Sequence, residues 1–178
     1  VAGVDYRIVP LADYEPDILY QKQVEAYYAD PELNRPVGQF GNAADKWGLA
    51  NWMAAAVADE ADADVGFYHI GGVRLDSIPA GGVSVAKVYG LEPFGTLVAE
   101  MEMTPAQMRR MIVSKYNDPV NAKEAHRIDL ISTTPYVIVT DAADNALDVQ
   151  FPKLREGRKY KVAVSDYIYR NYKDMEYT

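Results

Sequence analysis

Hydrophobic residues recur along the chain with two different spacings, one typical of helices and one typical of strands. Apolar residues three or four positions apart predict amphipathic helices over residues 17–30, 42–59 and 104–116. The helix over 42–59 is the most clearly marked, because many alanines add helix propensity to its apolar stripe. The helix over 104–116 opens on Thr104 and Pro105, a capping residue followed by proline at the first helical position.

Shorter apolar runs between these helices predict strands. They lie at residues 65–70, 96–103, 128–140 with a break at 133–135, 146–151 and 160–164. Residues 1–10 also have the composition of a strand, whereas residues 83–89 fit either a strand or a short helix. A last short helix follows, capped by Ser165 or Asp166. This order indicates a mixed α and β fold and lacks the regular alternation of a doubly wound parallel sheet.

Length and composition narrow the classes of function. A chain of 178 residues is expected to form a single domain over residues 1–178. With no cysteine and only two histidines, it excludes disulfides, thiolate nucleophiles and cysteine-ligated metals. The formal net charge of −8 argues against nucleic-acid polymers as partners, although a pocket for one nucleotide needs only a few cations. No apolar run approaches the ~18 residues of a membrane span.

The chain lacks the spacings that mark common catalytic centres. There is no Gly-x-Ser-x-Gly elbow, no His-Glu-x-x-His pair and no phosphate-binding glycine loop. Glu100 and Glu102 share one face of a predicted strand, which the alternation places in solvent. His126 lies in a polar stretch that is typical of solvated surface. The sequence therefore predicts no catalytic residue, no metal site and no cofactor in this chain.

The strand after the alanine-rich helix runs into Gly71 and Gly72, where the backbone can approach a neighbour closely. Two glycines in this place usually form a tight turn, and the alternative is a backbone exposed to a planar ligand, with His69 and Arg74 on either side. Taken alone, His69 is more often a packing residue than a ligand contact. The simplest interpretation of Arg74 is a surface ion pair with the nearby Asp76.

Aromatic residues form two further features. Phe94 stands between Pro93 and Gly95, which makes it either a core residue or a platform on which a flat ligand can stack. Tyrosine accounts for 14 residues, and several tyrosines crowd into the end of the chain. We interpret that cluster first as packing between a strand and a helix. A binding surface is the alternative, because tyrosine joins an apolar ring to a polar tip.

Two motifs and a late strand occur in a characteristic order. They are Asp64-Val-Gly-Phe-Tyr-His-Ile-Gly-Gly-Val-Arg74, Leu91-Glu-Pro-Phe-Gly95 and Tyr160-Lys-Val-Ala-Val-Ser-Asp-Tyr167. With the helix around residues 47–53 that precedes them, they resemble the C-terminal domain of the 5′-nucleotidase family over residues 38–172. Either motif alone is a weak signal, whereas the two in order are fairly specific.

The resemblance implies the fold class α/β with mixed sheets, in a layered α/β/β/α arrangement. It also implies that a metallophosphatase domain or subunit, absent from this chain, holds divalent metals and hydrolyses the substrate, while the C-terminal domain recognises the nucleoside. Family members, among them bacterial enzymes, mostly act outside the cytoplasm, so a periplasmic or secreted location in the cell envelope is implied. Because the chain begins at Val1 rather than Met, we expect a mature or partial form.

In the family, a base stacks between two aromatic rings, and polar groups near a Gly-Gly-x-Arg motif bind the sugar. By resemblance, Arg74 and the backbone near Gly72 face the ribose, and Phe94 is one wall of the base site. This chain has His69 where the family has asparagine, and it lacks the Gly-Gly-Asp-Gly-aromatic loop after the late strand. The second wall then comes from one of three residues near the end of the chain, Tyr172, Met175 or Tyr177.

Two hypotheses of function follow from the resemblance. The first is a nucleoside- or nucleotide-recognition domain of a 5′-nucleotidase-type hydrolase, not catalytic on its own. The second is an interaction or scaffold domain that keeps the fold, has lost the pocket and pairs with a separate metallophosphatase. An independent hydrolase ranks below both, because two histidines cannot rebuild a two-metal centre. The predicted ligand-binding residues are His69, Gly71, Gly72, Arg74, Phe94 and Tyr172.

Overall fold

The computed structural model describes residue 3 and residues 5–120 and 129–172. The helices are α1 (Ile18–Tyr28), α2 (Pro31–Asn34), α3 (Lys46–Glu60), α4 (Val85–Leu91), α5 (Pro105–Tyr116) and α6 (Asp166–Asn171). The strands are β1 (Pro36–Phe40), β2 (Ala44–Asp45), β3 (Val65–His69), β4 (Ser77–Ile78), β5 (Gly81–Ser84), β6 (Val98–Met103), β7 (Leu130–Ser132), β8 (Val137–Thr140), β9 (Ala146–Gln150) and β10 (Tyr160–Ser165). Short 3₁₀ turns occupy Leu11–Asp13 and Ile70–Gly72.

Four strands form a central sheet in the order β6, β10, β3, β7. β3 and β10 are parallel, with Val65 opposite Val162 and Phe67 opposite Val164. β6 runs antiparallel to β10 on one side, and β7 runs antiparallel to β3 on the other. As a result, β3 and β10 end where β6 and β7 begin, at one end of the sheet. The smaller pairs β1–β5, β2–β4 and β8–β9 surround this sheet.

The two faces of the central sheet bury two different cores, as strand alternation requires. On one face, Phe67 of β3 packs with Met108 of α5 and with Val149 of β9. On the other face, Tyr68 packs in a cluster with Ala54 and other residues of α3. The sheet therefore lies between α3 and a layer made of α5 and the β8–β9 hairpin. The mixed α/β fold class that the resemblance implied is confirmed.

Polar caps fix where α3 and α5 begin. The Thr104 side chain accepts a hydrogen bond from the backbone N–H of Gln107, whose own side chain accepts from the backbone N–H of Thr104, so both halves of a capping box are present. The Asp45 side chain accepts from the backbone N–H of Gly48 at 2.8 Å. α3 therefore begins at Lys46 and not at residue 42 as predicted, because residues 44–45 form strand β2 and pair with β4.

The structure decides between the alternatives that the sequence left open at several other places, and it contradicts one prediction. Residues 83–89, which fitted either a strand or a short helix, contain both. β5 ends at Ser84, and Ser84 then caps α4. The apolar run after residue 128 divides into β7 and β8 around the predicted break. Ser165, rather than Asp166, caps α6 by accepting from the backbone N–H of Ile168. Residues 5–10 form no strand, so the prediction of a strand there is wrong.

The predicted N-terminal helix is present as α1 but contributes nothing to either core. Asp17 caps it by accepting hydrogen bonds from the backbone N–H groups of Leu19 and Tyr20. None of its residues is buried, so its apolar side chains stay exposed. Within the described ranges, the helices are too short or too polar to cross a membrane.

Candidate functional site

A pocket of about 740 Å³ opens at the end of the central sheet where β3 and β10 finish and β6 and β7 begin. His69 is the last residue of β3, and Tyr167 follows β10 in the first turn of α6. Phe94 comes from the loop before β6, and Lys115 from the end of α5. Ligands of open α/β sheets bind beyond the carboxyl ends of parallel strands, so the topology itself favours a site here.

Five of the six predicted ligand-binding residues line this one pocket, namely His69, Gly71, Arg74, Phe94 and Tyr172. The sixth, Gly72, is buried behind His69, because a Cβ atom placed on Gly72 would lie 2.6 Å from Cε1 of the imidazole. Glycine is therefore required at position 72 for the ring to approach the backbone. The structure brings the predicted residues together, and the contact of each with a ligand stays a prediction.

The imidazole of His69 is almost fully buried and lies between aromatic rings. Its ring stacks on Tyr167 with 4.5 Å between centroids and 20° between planes, and Tyr68 lies 5.2 Å away. Burial lowers the pKa of His69 below its ordinary value, and the charge of Asp129 opposes this shift only in part. Nδ1 is buried without a hydrogen-bond partner in the described part of the chain. The neutral imidazole is therefore the form that this environment favours.

We expect the free energy of unfolding to fall as the pH drops below about 6.5, in part because of His69. Its pKa is lowered in the folded state, so the unfolded chain binds the proton more readily over the interval below 6.5. Denaturant titrations between pH 7 and pH 5 should show a shallower pH dependence for the His69→Asn variant than for the wild type. Parallel curves for the two proteins would contradict the lowered pKa.

Tyr172 is held at the back of the pocket by a carboxylate that is only partly exposed. Its hydroxyl donates to Asp129, whose Oδ2 also lies 3.8 Å from Nζ of Lys115. Nζ of Lys115 lies in turn 4.9 Å from the centre of the Tyr172 ring. Burial, together with the charge of Asp129, raises the pKa of Tyr172, so its hydroxyl stays protonated. The other two residues considered for the second wall, Met175 and Tyr177, lie outside the described residues, as does His126.

Phe94 is an exposed platform and not a core residue, since 60% of it is accessible. The Glu92 carboxylate fixes its loop by accepting hydrogen bonds from the backbone N–H of Phe94 and from the backbone N–H and hydroxyl of Thr96. Gly95 has φ +62°, a conformation that favours glycine. The loop is therefore braced from within while its aromatic ring faces the pocket.

Arg74 does not form the ion pair with Asp76 that the sequence allowed. Among the described residues, Asp76 lies instead 3.7 Å from the Lys46 ammonium. The Arg74 guanidinium carbon lies 5.9 Å from the centre of the Phe94 ring, a cation–π distance. The backbone N–H of Arg74 donates to the carbonyl of Leu91 at 2.9 Å, which ties the two motifs together. Arg74 therefore lines the pocket and is not held in a surface pair with Asp76.

Sequence reasoning missed several residues that complete the pocket. They are Lys46, Lys115, Asp129, Asp166, Tyr167 and Arg170. Cations outnumber carboxylates among the lining residues, although the whole chain carries a net charge of −8. Tyr167 does end the late-strand segment of the resemblance, whereas Lys115 and Asp129 lie in stretches without a motif. Within the part of the chain that the structure describes, no group of three or more His, Asp or Glu side chains is placed to hold a metal ion.

Known proteins are similar to this chain both in sequence and in fold. The sequence model of the family described as 5′-nucleotidase, C-terminal domain, matches residues 29–176. The 5′-nucleotidase precursor from Thermus thermophilus is similar in structure, with 18% identity and a TM-score of 0.65, over 90% of this chain and 35% of that one. The NAD nucleotidase of Haemophilus influenzae is also similar, with 17% identity and a TM-score of 0.61, over 89% of this chain and 33% of that one.

These comparisons differ in what they establish. The solved structures share the fold at low identity, and this chain spans about a third of their length. No curated protein matches the sequence. The family match, in contrast, covers most of the chain and includes both motifs and the late strand. The chain therefore belongs to the 5′-nucleotidase C-terminal domain family.

Proposed function

We propose that this chain is the nucleoside- or nucleotide-recognition domain of a 5′-nucleotidase-type hydrolase and that it is not catalytic by itself. The observation that carries the proposal is the pocket beyond β3 and β10, which gathers five predicted ligand-binding residues from separate segments. Its volume of about 740 Å³ lies within the range of small-molecule sites. Family membership supports a nucleoside or nucleotide as the ligand, and the pocket supports its binding at the end of the central sheet.

The lining residues suit the base, the sugar and the phosphate of a nucleotide. The exposed ring of Phe94 offers a face on which a base can stack. Arg74, beside that ring, presents several N–H donors to sugar or phosphate oxygens. Lys46 and Arg170 add positive charge around the same opening, which favours an anionic ligand. The neutral His69 at the floor adds polar nitrogen atoms without adding charge.

We propose that hydrolysis itself takes place on a metallophosphatase domain or subunit that holds the divalent metals. Support comes from length, because the two nucleotidases that share this fold are about three times as long as the part this chain matches. A periplasmic or secreted location belongs to the same proposal. In this arrangement the present chain selects the ligand and its partner cleaves it.

Calorimetric titration of the purified chain with AMP, adenosine and UDP-glucose tests the proposal. We expect saturable heat from at least one of the three, with ribose 5-phosphate as a matched ligand that lacks a base and binds more weakly. No heat from any of the three at about 1 mM ligand would contradict recognition of nucleosides. Stable co-purification with a separate phosphatase subunit, without such heat, would instead support the scaffold hypothesis.

A further inference from the structure

We propose that Tyr167 is the second aromatic surface of the pocket and that a planar heteroaromatic ring of the ligand stacks on the face of Tyr167 opposite His69. This inference rests on the proposed function, which it deepens by assigning the part of the ligand that the inner wall recognises. Tyr167 stands outside the three residues that the resemblance offered for a second wall. It is identified by its place in the structure.

The backbone of Tyr167 is firmly anchored at the end of the central sheet. α6 begins directly after β10, and Ser165 caps it through a hydrogen bond from the backbone N–H of Ile168. The next residue, Asp166, donates its backbone N–H to the carbonyl of Leu97 at 2.8 Å and accepts from the Leu97 N–H at 3.2 Å. These bonds join the start of α6 to the chain entering β6. The ring of Tyr167 is therefore carried by regular elements rather than by a free loop.

The surroundings of the ring leave one face for a ligand. His69 covers one face at 4.5 Å, and Tyr172 meets Tyr167 edge to face at 6.3 Å and 79°. Nevertheless 49% of Tyr167 is exposed, and the residue lines the pocket. Since His69 occupies one face and Tyr172 lies against the ring at a steep angle, the exposed area is assigned to the opposite face. On this assignment, the face opposite His69 is the aromatic plane that the ligand meets.

The imidazole of His69 and the backbone at Gly72 are stacked behind Tyr167 and hold its ring in place. Gly72 has no Cβ, so the imidazole of His69 can lie directly against the backbone, and Tyr167 stacks on the other side of that imidazole. Each layer fixes the next, so little side-chain freedom is lost when a ligand arrives. Burial keeps His69 neutral, which avoids placing a charge behind the stacking surface. The residues beneath Tyr167 thus have a role even without touching the ligand.

The aromatic rings of Phe94 and Tyr167 favour ligands that contain a flat, conjugated ring. Phe94 and Tyr167 come from different segments and line the same opening. Aromatic planes stack offset on heteroaromatic bases and gain much less from a puckered sugar. The pocket is therefore expected to bind a purine or pyrimidine through its base and to reject a sugar phosphate that lacks one. Arg74 at the rim of Phe94 remains available for the charged part of such a ligand.

Substitutions at Tyr167 test the assignment by calorimetry with AMP. We expect Tyr167→Leu to weaken AMP binding by about 5- to 150-fold, the range typical of one lost base–aromatic stack. Tyr167→Phe keeps the ring and is expected to bind within about twofold of the wild type. The matched control is Tyr169→Leu, since Tyr169 lies in the same helix, is 40% exposed and does not line the pocket. That control is expected to bind AMP normally.

A second measurement, on the wild-type protein, does not depend on how well the leucine variant folds. Stacking on Tyr167 should move the base proton resonances of AMP upfield in NMR spectra and give nuclear Overhauser contacts to the ring of Tyr167. Normal AMP affinity in folded Tyr167→Leu, or an absence of those contacts, overturns the stacking assignment and leaves nucleotide recognition standing. Failure of the wild type to bind any nucleotide or nucleoside overturns both proposals.

Discussion

The Gly66→Ala variant is expected to lose about 3 kcal/mol or more of its free energy of unfolding, measured by denaturant titration. Gly66 lies in the middle of β3 on the face that packs against α3. A Cβ atom there would stand 2.2 Å from the backbone carbonyl oxygen of Ala54 and 2.8 Å from Cβ of Ala58. Neither atom can rotate away, because one belongs to the helix backbone and the other is the first atom of its side chain. The clash is relieved only if α3 moves away from the sheet.

The matched control for this prediction is Gly82→Ala. Gly82 also lies in a strand, β5, but nothing stands within 4 Å of a Cβ placed on it. We expect its effect on stability to stay below about 1 kcal/mol, as for most changes away from tight packing. Equal losses of stability in the two variants would show that position 66 is no more tightly packed than position 82. The contact between α3 and β3 would then be looser than the structure indicates.

Gly66 also illustrates which parts of the fold the sequence could predict. Periodicity and caps are local, so α5 and its Thr104 cap were predicted at the right place. Gly66 gave no signal, since the need for glycine arises from a helix that packs across the strand. The parallel pairing of β3 with β10 joins residues far apart in the sequence, and no local pattern specifies it. The start of α3 was wrong for the same reason, because residues 44–45 pair with β4.

Some residues of the candidate site could likewise be predicted from the sequence, and others could not. His69, Arg74 and Phe94 were predicted because they lie in two motifs that the family resemblance recognises as a pair. Lys115 and Asp129 were not, since they reach the pocket from the end of α5 and from the position just before β7, which only the folded sheet brings together. The pKa values of the site residues also depend on the folded structure. The lowered pKa of His69 depends on burial, which its sequence neighbours do not determine.

Removal of the Phe94 ring is expected to weaken ligand binding by as much as the loss of one base stack, the same size of effect as expected for Tyr167. If AMP stacks its base on this ring, Phe94→Ala should weaken AMP binding by about 5- to 150-fold, corresponding to ~1–3 kcal/mol for one base stack. The loop should keep its shape, because Glu92 braces it through backbone N–H groups and the hydroxyl of Thr96, none of which the substitution removes. Calorimetric titration with AMP measures the change.

The structure also offers a control for Phe94 that separates binding from stability. Tyr89 in α4 is 63% exposed, close to the 60% of Phe94, and does not line the pocket. Tyr89→Ala is therefore expected to leave AMP affinity unchanged, and both variants are expected to melt close to the wild type because neither removes a buried ring. If Phe94→Ala binds AMP as tightly as Tyr89→Ala does, Phe94 is not a wall of the base site. The base would then have to be recognised from the side of Tyr167 and His69 alone.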